Sequence, residues 1–333
     1  MTSAASINIR IGCPICGESN ASFICRMGRE YLLDCEQGRK YPLRTLQLAG
    51  LEFDRDSKAG CSYYECSKCG TFYVKEAAQM EHAIGIVWQE DEERKHAPEI
   101  NSPVIIRGKT KRPPLIGQML ALALQSTKSD APAVLDYGFG GGLDLGILWA
   151  LRLDKVVGYN PHNYLFEQVR KYLHPNVILI DNPDELDELA PFDLLVCSSV
   201  MEHVQDPVGT LDHIYQLLKP GGIAWFSAPS LSRKQMAGHA RSVKQGIKVK
   251  LLHPGHIQLW NNDTLPFSTF IERRGFQLVF ADLGIPPRDL RSLKDVLWMV
   301  AAHAKRSLQV SRAFVAMRTG RYKSQAFLAR KIA

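Results

Sequence analysis

The sequence predicts an α/β protein with a doubly wound, mostly parallel sheet, preceded by a small cysteine-rich domain. Two observations lead to this prediction. Over positions 133–229, short apolar segments alternate with amphipathic ones, as in sheets whose parallel strands are joined by helices. Nearer the amino terminus, the motif C-x-x-C-G occurs at positions 13–17 and again at 66–70, which is typical of a metal-binding module.

The composition is that of an ordinary globular chain and disfavours several other classes of protein. The 333 residues are 45% hydrophobic and 23% charged, which leaves room for roughly two domains. No stretch of about 18 apolar residues occurs, and no charged amino-terminal segment runs into an apolar one. We therefore expect neither a membrane span nor a signal peptide, and we expect a cytoplasmic protein.

These patterns divide the chain into four predicted segments. The cysteine-rich domain is expected over 1–92, a charged and proline-rich linker over 93–117, and the sheet domain over 118–285. An insertion in the sheet domain at about 230–262 begins with a basic stretch and is expected to form a lid over a pocket. Residues 286–333 are predicted to form a basic, helical extension.

The net charge of +7 originates in the last residues of the chain. From His303 to Ala333 there are eight Lys or Arg residues and no acidic residue, so the rest of the chain is nearly neutral. Such a segment suits a packed helix with a solvated basic face. The alternative is a surface for an anionic partner, which could be lipid, glycan or RNA.

Each C-x-x-C-G motif places two thiolates on one tight turn, closed by Gly17 or Gly70 where a side chain would crowd the backbone. Two such turns complete a tetrahedral site, and the stretch resembles a zinc ribbon with a long insertion. A structural zinc ion is therefore predicted, with the ligands Cys13, Cys16, Cys66 and Cys69. Two alternatives remain open: a lone C-x-x-C can be a redox pair, and Cys25, Cys35 or Cys61 could replace a ligand.

In the sheet domain the predicted strands and helices alternate. The strands cover 133–138, 155–160, 176–181, 192–199 and 221–229, and the helices cover 142–152, 163–173, 183–189 and 206–219. On such a sheet, a ligand binds at the carboxyl ends of the strands, near the point where the strand order reverses. The first strand runs directly into a glycine-rich loop, so we expect a nucleotide-binding site there.

The spacing of the glycines in this loop separates two kinds of cofactor. A dinucleotide fingerprint G-x-G-x-x-G that begins at Gly138 requires a glycine at the position of Leu143. The pattern D-x-G-x-G-x-G is instead complete. In this pattern the chain resembles the class I S-adenosylmethionine-dependent methyltransferases. The resemblance extends over about 114–282 and is most specific over 192–229, which contains a Glu-His-Val turn and a KPGG segment.

The resemblance implies a Rossmann-like sheet of seven strands, with S-adenosylmethionine as the cofactor. The implied cofactor-binding residues are Asp136, Tyr137, Gly138, Gly140, Gly142, Asn160, Pro161, Asp181, Asn182, Ser198 and Ser199. At the position of Asn160 the family usually has an acid, which accepts hydrogen bonds from both ribose hydroxyls. An asparagine keeps one acceptor and adds a donor, but it lacks the charge. This departure leaves a non-catalytic binding protein open as an alternative.

For the methyl acceptor, the resemblance implies a pocket beside the Glu-His-Val turn and a later histidine-containing segment. The candidate general bases are His203 and His256, because an imidazole titrates near neutral pH. Glu202, His253 and Trp260 are predicted to contact the acceptor. Each has a structural alternative: Glu202 and His203 could brace a loop, and the other residues could pack under a cap.

The predicted function is transfer of a methyl group to a small-molecule or glycan acceptor by in-line displacement at the sulfonium. An RNA methyltransferase is the first alternative, because a zinc ribbon and basic segments also resemble some ribosomal RNA enzymes. After the fourth strand the sequence is CSSVME and lacks an NPPY-type amine-binding segment, which disfavours methylation of adenine or cytosine. The sequence indicates no particular oligomeric state.

Overall fold

The computed structural model describes the chain in eight segments, with a few single residues between them. The segments are 12–28, 60–75, 129–150, 155–161, 166–171, 173–247, 255–279 and 324–332. The linker predicted over 93–117 lies outside the described residues. In the described part of the chain, no helix is both long enough and apolar enough to cross a membrane.

Eleven strands and six helices occur among the described residues. The strands are β1 (Ala21–Gly28), β2 (Gly60–Cys66), β3 (Phe72–Val74), β4 (Ala133–Tyr137), β5 (Lys155–Tyr159), β6 (Ile178–Ile180), β7 (Phe192–Ser198), β8 (Leu218–Leu231), β9 (Gln258–Asn261), β10 (Phe276–Leu278) and β11 (Ser324–Lys331). The helices are α1 (Leu143–Ala150), α2 (Phe166–Arg170), α3 (Pro183–Leu189), α4 (Pro207–Leu217), α5 (Arg233–Lys244) and α6 (Phe267–Glu272).

The chain forms two compact units, and each unit collects segments that are distant in sequence. The cysteine unit comprises the described residues of 12–75, 199–212 and 228–269. The sheet unit comprises the described residues of 124–198, 213–227 and 270–332.

The sheet unit is built on seven of the described strands, in the spatial order β6-β5-β4-β7-β8-β11-β10. Strands β4 to β8 run parallel to one another, and β10 pairs antiparallel with β11. From β4 the chain adds β5 and β6 on one side and then β7 and β8 on the other. The predicted doubly wound, mostly parallel sheet is therefore confirmed, and its strand order reverses at β4.

The apolar runs of the sequence form the interior of this sheet. All five residues of β4 are buried, and so are the first six residues of β7. Parallel strands with both faces covered need such continuous apolar runs, because neither face meets water. The core cluster around them includes Val134, Val156, Leu194, Ile223 and Leu328.

The carboxyl-terminal segment differs from the prediction of a helical extension over 286–333. Its last part forms β11, which pairs with β8 and β10 and has buried residues at its centre. Lys331 Nζ donates a hydrogen bond of 2.9 Å to the carbonyl oxygen of Leu218. The apolar residues of this part of the sequence have mixed helical spacings, so the sequence predicted a helix. The strands that pair with β11 are far from it in the chain, and no local pattern indicates such a pairing. The rest of the extension lies outside the described residues, so the anionic-partner hypothesis stays a prediction.

The cysteine unit contains a sheet in the order β1-β2-β3-β9, in which neighbouring strands are antiparallel. The end of β8 joins it through a parallel pairing of Ser230 with Trp260. Helix α5 packs Met236, Ala240 and Val243 into the core of this unit. The spacing of these three positions is that of one helix face.

The segment predicted as a lid insertion over 230–262 therefore belongs to the cysteine unit rather than to the sheet domain. Helix α5 begins with a capping box, in which Gln235 N donates to Ser232 Oγ and Ser232 N donates to Gln235 Oε1. The exposed positions of the helix include the basic residues Arg233, Lys234, Arg241 and Lys244. The basic residues of this stretch lie on the solvated face of a packed helix, and its role as a lid stays a prediction.

Candidate functional site

The four cysteines predicted as metal ligands come together in the cysteine unit. Their sulfur atoms all lie within 4.8 Å of one another. Cys13 Sγ is 3.6 Å from Cys69 Sγ, and Cys16 Sγ is 3.5 Å from Cys66 Sγ. In a tetrahedral zinc site with Zn–S bonds of about 2.3 Å, the sulfurs are ~3.8 Å apart. The cluster therefore has the size and the ligand set of a four-thiolate zinc site.

The two cysteine turns have the same backbone geometry. Gly17 N donates to Cys13 O at 2.9 Å, and Gly70 N donates to Cys66 O at 3.0 Å. Both glycines have positive φ, 72° and 75°, as expected where a side chain would strain the turn. A hydrogen bond with Cys13 is the main cause that lowers the pKa of Cys69 to about 5, which favours a thiolate within the cluster.

Two of the alternative ligands are not part of this cluster. Cys25 and Cys61 are fully buried in the core of the cysteine unit beside Met27 and Tyr63. Burial raises the pKa of Cys25 to about 11, so its thiol stays protonated at neutral pH. Cys35 lies outside the described residues.

The glycine loop after β4 has the backbone that its sequence predicts. Gly138, Gly140 and Gly142 have φ values of 82°, 47° and 75°, which side-chain-bearing residues rarely adopt. A Cβ at Gly142 would lie 2.8 Å from Val169 Cγ1, so this glycine is also required for packing. A Cβ at Gly140 would meet no atom of the described residues within 4 Å. Within the described part of the chain, the backbone at Gly140 is therefore not covered where a side chain would project.

A buried carboxyl precedes this loop at the end of β4. Asp136 is 2% exposed, and its Oδ2 atom has no hydrogen-bond partner among the described residues. Burial, and then the neighbouring Asp144, hold the pKa of Asp136 well above its ordinary value. Burial also raises the pKa of Asp144 to about 6. Buried polar atoms without partners are rare in folded proteins, so Asp136 is a candidate ligand-binding group.

Other predicted cofactor residues follow the neighbouring strands of the sheet unit. Asn160 follows β5 and is buried, Pro161 after it is exposed, and Asp181 follows β6. Because β4, β5 and β6 are adjacent and parallel, these residues share the carboxyl edge of the sheet with Asp136. Tyr137 packs its ring 4.9 Å from that of the last residue of β5.

Three of the predicted cofactor residues have local roles that the sequence did not show. Asn182 is the N-cap of α3, and its Oδ1 accepts a hydrogen bond of 3.0 Å from Asp184 N. Ser198 Oγ lies 2.9 Å from Ser227 Oγ, within hydrogen-bond distance. Ser199 has a φ of 55°, which is unusual for a residue with a side chain and marks the end of β7 as strained.

In the cysteine unit, Glu202, His203 and His256 form a second cluster. Their ligand-capable atoms lie within 4.8 Å of one another, and the two imidazole centroids are 5.0 Å apart. His203 Nε2 is 3.9 Å from Glu202 Oε1. Glu202 is 1% exposed, and its Oε2 atom has no hydrogen-bond partner among the described residues. The two candidate bases and the predicted acceptor-binding acid therefore form one polar group.

Burial determines the protonation of this cluster. It raises the pKa of Glu202 to about 8, although a hydrogen bond from Ser199 opposes the shift. It lowers the pKa of His203 to about 3, with a further contribution from His256. It lowers the pKa of His256 to about 4. At neutral pH, both imidazoles are therefore uncharged, and the carboxyl is mostly protonated.

Strand β9 fixes the loop that carries Glu202 and His203. Gln258 Nε2 donates to the carbonyl oxygens of Met201 and Val204. Ile257 N donates to Glu202 O at 2.9 Å. Gln258 is not among the predicted site residues, although a polar residue at the start of an apolar segment is a signal of such a role.

The remaining acceptor-site predictions have different outcomes. Trp260 is fully buried, and its ring lies 4.5 Å from that of Phe267. It packs in the core, and its contact with the acceptor stays a prediction. His253 lies outside the described residues.

Comparison with known proteins shows where the chain has relatives. A family model described as a methyltransferase domain matches residues 109–280, which is about half of the chain. A ubiquinone biosynthesis O-methyltransferase of Actinobacillus pleuropneumoniae serotype 5b (strain L20) is 32% identical over 104 residues, which span 28% of this chain and 44% of that protein. The protein of the same name from Pseudomonas putida (strain GB-1) is 25% identical over 203 residues, 56% of this chain and 81% of that protein.

The similarity to solved structures is lower in sequence identity. An S-adenosylmethionine-dependent methyltransferase from Mesorhizobium loti aligns with 16% identity and a TM-score of 0.35, over 65% of this chain and 98% of that one.

Proposed function

The chain belongs to the methyltransferase family whose domain model matches residues 109–280, and we propose that it transfers a methyl group from S-adenosylmethionine to a hydroxyl group of a small molecule. One observation carries the proposal: the loop after β4 combines three glycines of positive φ with the buried, incompletely bonded carboxyl of Asp136. Such a loop lets a ligand approach the backbone closely, and the carboxyl offers that ligand a hydrogen-bond acceptor.

The roles at the cofactor follow from this placement. Asp136 would accept a hydrogen bond from the ammonium group of the cofactor, and the bare backbone at Gly140 would leave room for its amino-acid part. Asn160 would bond the ribose through its side-chain amide, and Asp181 would contribute to binding the adenine. Because Asn160 carries no charge, its bond to the ribose is weaker than the charge-assisted bond of an acid. We therefore expect weaker cofactor binding than an acid at this position would give.

The proposal of a hydroxyl acceptor is based on the names of the relatives and on the cluster of Glu202, His203 and His256. The curated relatives are named as O-methyltransferases, which favours an oxygen acceptor. In the reaction, the acceptor oxygen forms the new O–CH₃ bond while the S–CH₃ bond breaks, and S-adenosylhomocysteine leaves. The hydroxyl proton leaves to solvent. Glu202, His203 and His256 supply buried polar atoms for binding such a hydroxyl.

The protonation of the cluster limits its use as a base. An imidazole with a pKa near 3 or 4 is uncharged at neutral pH and has one ring nitrogen that can accept a hydrogen bond, but it is a weak base. His203 or His256 therefore orients the hydroxyl more readily than it deprotonates it.

We also propose that Cys13, Cys16, Cys66 and Cys69 bind a structural zinc ion. The sulfur positions and the two glycine-closed turns support this ligand set. Four thiolates leave no open coordination position, so the ion has no direct part in the reaction. Its binding would contribute to the folding of the cysteine unit, because thiolate ligands are brought together only in the folded state.

Two measurements test the proposed function. Calorimetric titration with S-adenosylmethionine and with S-adenosylhomocysteine is expected to show one binding site for each. Methyl-labelled cofactor is then incubated with a catechol, an oligosaccharide and total RNA in separate reactions. We expect label in the small-molecule product, with release of S-adenosylhomocysteine.

The outcomes separate the candidate functions. Label confined to RNA would replace the proposal by the RNA methyltransferase, and label in the oligosaccharide would extend it to glycans. If neither cofactor form binds at millimolar concentration, the chain is a non-catalytic member of the family.

A further inference from the structure

The cluster of Glu202, His203 and His256 combines one buried carboxyl with two half-buried imidazoles. We propose that these three side chains bind a divalent transition-metal cation, at a site separate from the four-cysteine cluster. Their ligand-capable atoms lie within 4.8 Å of one another, and His203 Nε2 is 3.9 Å from Glu202 Oε1. A modest contraction would bring them to the spacing of ~3.4 Å between ligands of a tetrahedral zinc ion. The two sites share no residue.

The hydrogen bonds of the two imidazoles select the tautomer that a metal requires. His203 Nδ1 lies 2.6 Å from Gly255 O, and His256 Nδ1 lies 2.9 Å from Leu251 O. A carbonyl oxygen only accepts, so each Nδ1 carries the hydrogen and each Nε2 carries the lone pair. A metal-binding histidine usually donates a hydrogen bond from its second ring N–H to a carbonyl or carboxylate in this way. Both rings are therefore prepared to coordinate through Nε2.

Glu202 supplies the charge that the site needs. One of its oxygens has no hydrogen-bond partner among the described residues, although the side chain is 1% exposed. An unsatisfied buried carboxyl is costly, and a coordinated cation would satisfy it as a carboxylate. Two nitrogens and one oxygen favour zinc and the other late first-row divalent metals over magnesium and calcium, which prefer oxygen ligands.

The surroundings fix the three ligands before a metal binds. Glu202 O accepts a hydrogen bond from Ile257 N, so the loop is attached to the segment that follows His256. Tyr63 Oη donates to His256 O at 2.6 Å. Backbone bonds of this kind maintain ligand positions with little reorganisation, as a metal site requires. Three protein ligands also leave coordination positions open for an exogenous ligand.

The open position gives the ion a use, and this step rests on the proposed function. A bound cation would lower the pKa of a hydroxyl oxygen coordinated at the open position, so that its proton would pass to solvent more easily. Glu202, His203 and His256 would hold the ion, and the ion would polarise the hydroxyl.

The test measures metal binding directly and does not need an acceptor. Tag-free, full-length protein with zinc already bound at the cysteine cluster is titrated with Co²⁺, and bound cobalt is quantified together with its visible d–d absorption. We expect one equivalent of cobalt without the thiolate charge-transfer band that marks sulfur ligation. Glu202→Gln and His256→Ala are expected to weaken cobalt binding at least 100-fold.

His213→Ala is the matched control, because His213 also lies beside a carboxylate, with Nε2 2.8 Å from Asp187 Oδ1, but belongs to neither cluster. It is expected to keep the full equivalent of cobalt. The proposal is overturned if the unaltered protein binds no cobalt beyond its zinc site, or if folded Glu202→Gln binds cobalt as tightly as the unaltered protein. Cofactor titration of the same samples keeps the two proposals distinguishable, since loss of cobalt binding with intact S-adenosylmethionine binding leaves the methyltransferase proposal in place.

Discussion

Replacement of Gly140 by alanine tests whether the open space beside the glycine loop is the cofactor site. Gly140 has a φ of 47°, and a Cβ there would meet no described atom within 4 Å. The substitution therefore adds one methyl group to the space that we assign to the cofactor. Its folding cost is limited to backbone strain, about 1–2 kcal/mol for a left-handed residue with a side chain.

Gly221 offers a matched control. Its φ is 75°, and a Cβ there also meets no described atom within 4 Å, but it lies in β8 outside the predicted cofactor residues. Gly221→Ala carries a similar backbone strain without a methyl group in the proposed site. The two variants should therefore lose similar free energy of unfolding, as measured by urea denaturation.

The affinity for S-adenosylmethionine should differ between the two variants. Overpacking a fitted site by one methyl group costs about 1–3 kcal/mol, which corresponds to a roughly 5- to 150-fold weaker affinity. We expect calorimetry to show this increase in the Kd for S-adenosylmethionine with Gly140→Ala and no change with Gly221→Ala. If folded Gly140→Ala binds the cofactor as tightly as Gly221→Ala, the space beside Gly140 is not the cofactor site.

Three further outcomes are expected. Cys66→Ser should lose one equivalent of zinc, as measured by elemental analysis. Cys25→Ala should keep its zinc, because Cys25 lies in a separate core cluster. Retention of zinc by Cys66→Ser would refute the proposed ligand set. The raised pKa of Asp144 disfavours its ionised form in the fold, so this group lowers stability as pH rises from its ordinary value of 3.8 to about 6. The stability gain of Asp144→Asn should accordingly grow by about 1 kcal/mol between pH 5 and pH 7 in urea titrations, and a pH-independent difference would contradict the shift. Deletion of 324–333 should prevent cooperative folding of the sheet unit because it removes β11, whereas a native-like unfolding transition would show that the strand is dispensable.

Local motifs were predictable because all their requirements lie within a few residues. The turn that carries Cys13 and Cys16 requires a positive φ at Gly17, the residue after the second cysteine. A glycine at that position indicates the requirement in the sequence. The loop from Asp136 to Gly142 is similar, since its acid and its glycines occupy seven consecutive positions. The alternation of apolar and amphipathic segments predicted the parallel sheet for the same reason.

Pairing between distant segments was not predictable in this way. The segment 324–331 is short, basic and far from β8 in the chain, so its composition suggested an extension rather than a strand. Helix α5 likewise appeared basic, although its buried face completes the core of the cysteine unit. Trp260 is fully buried on β9, which no local pattern predicted, and its contact with the acceptor stays a prediction.

The sequence by itself determined the parallel sheet, the glycine loop with its buried acid, and the two cysteine turns, because backbone strain and hydrophobic periodicity act over neighbouring residues. Only the tertiary structure decided that Glu202, His203 and His256 meet, which side of each imidazole carries the lone pair, and that Gln258 fixes their loop. Except for the bond of His256 to Leu251, five residues away, these properties depend on burial and on hydrogen bonds between segments more than fifty residues apart, which no local pattern indicates.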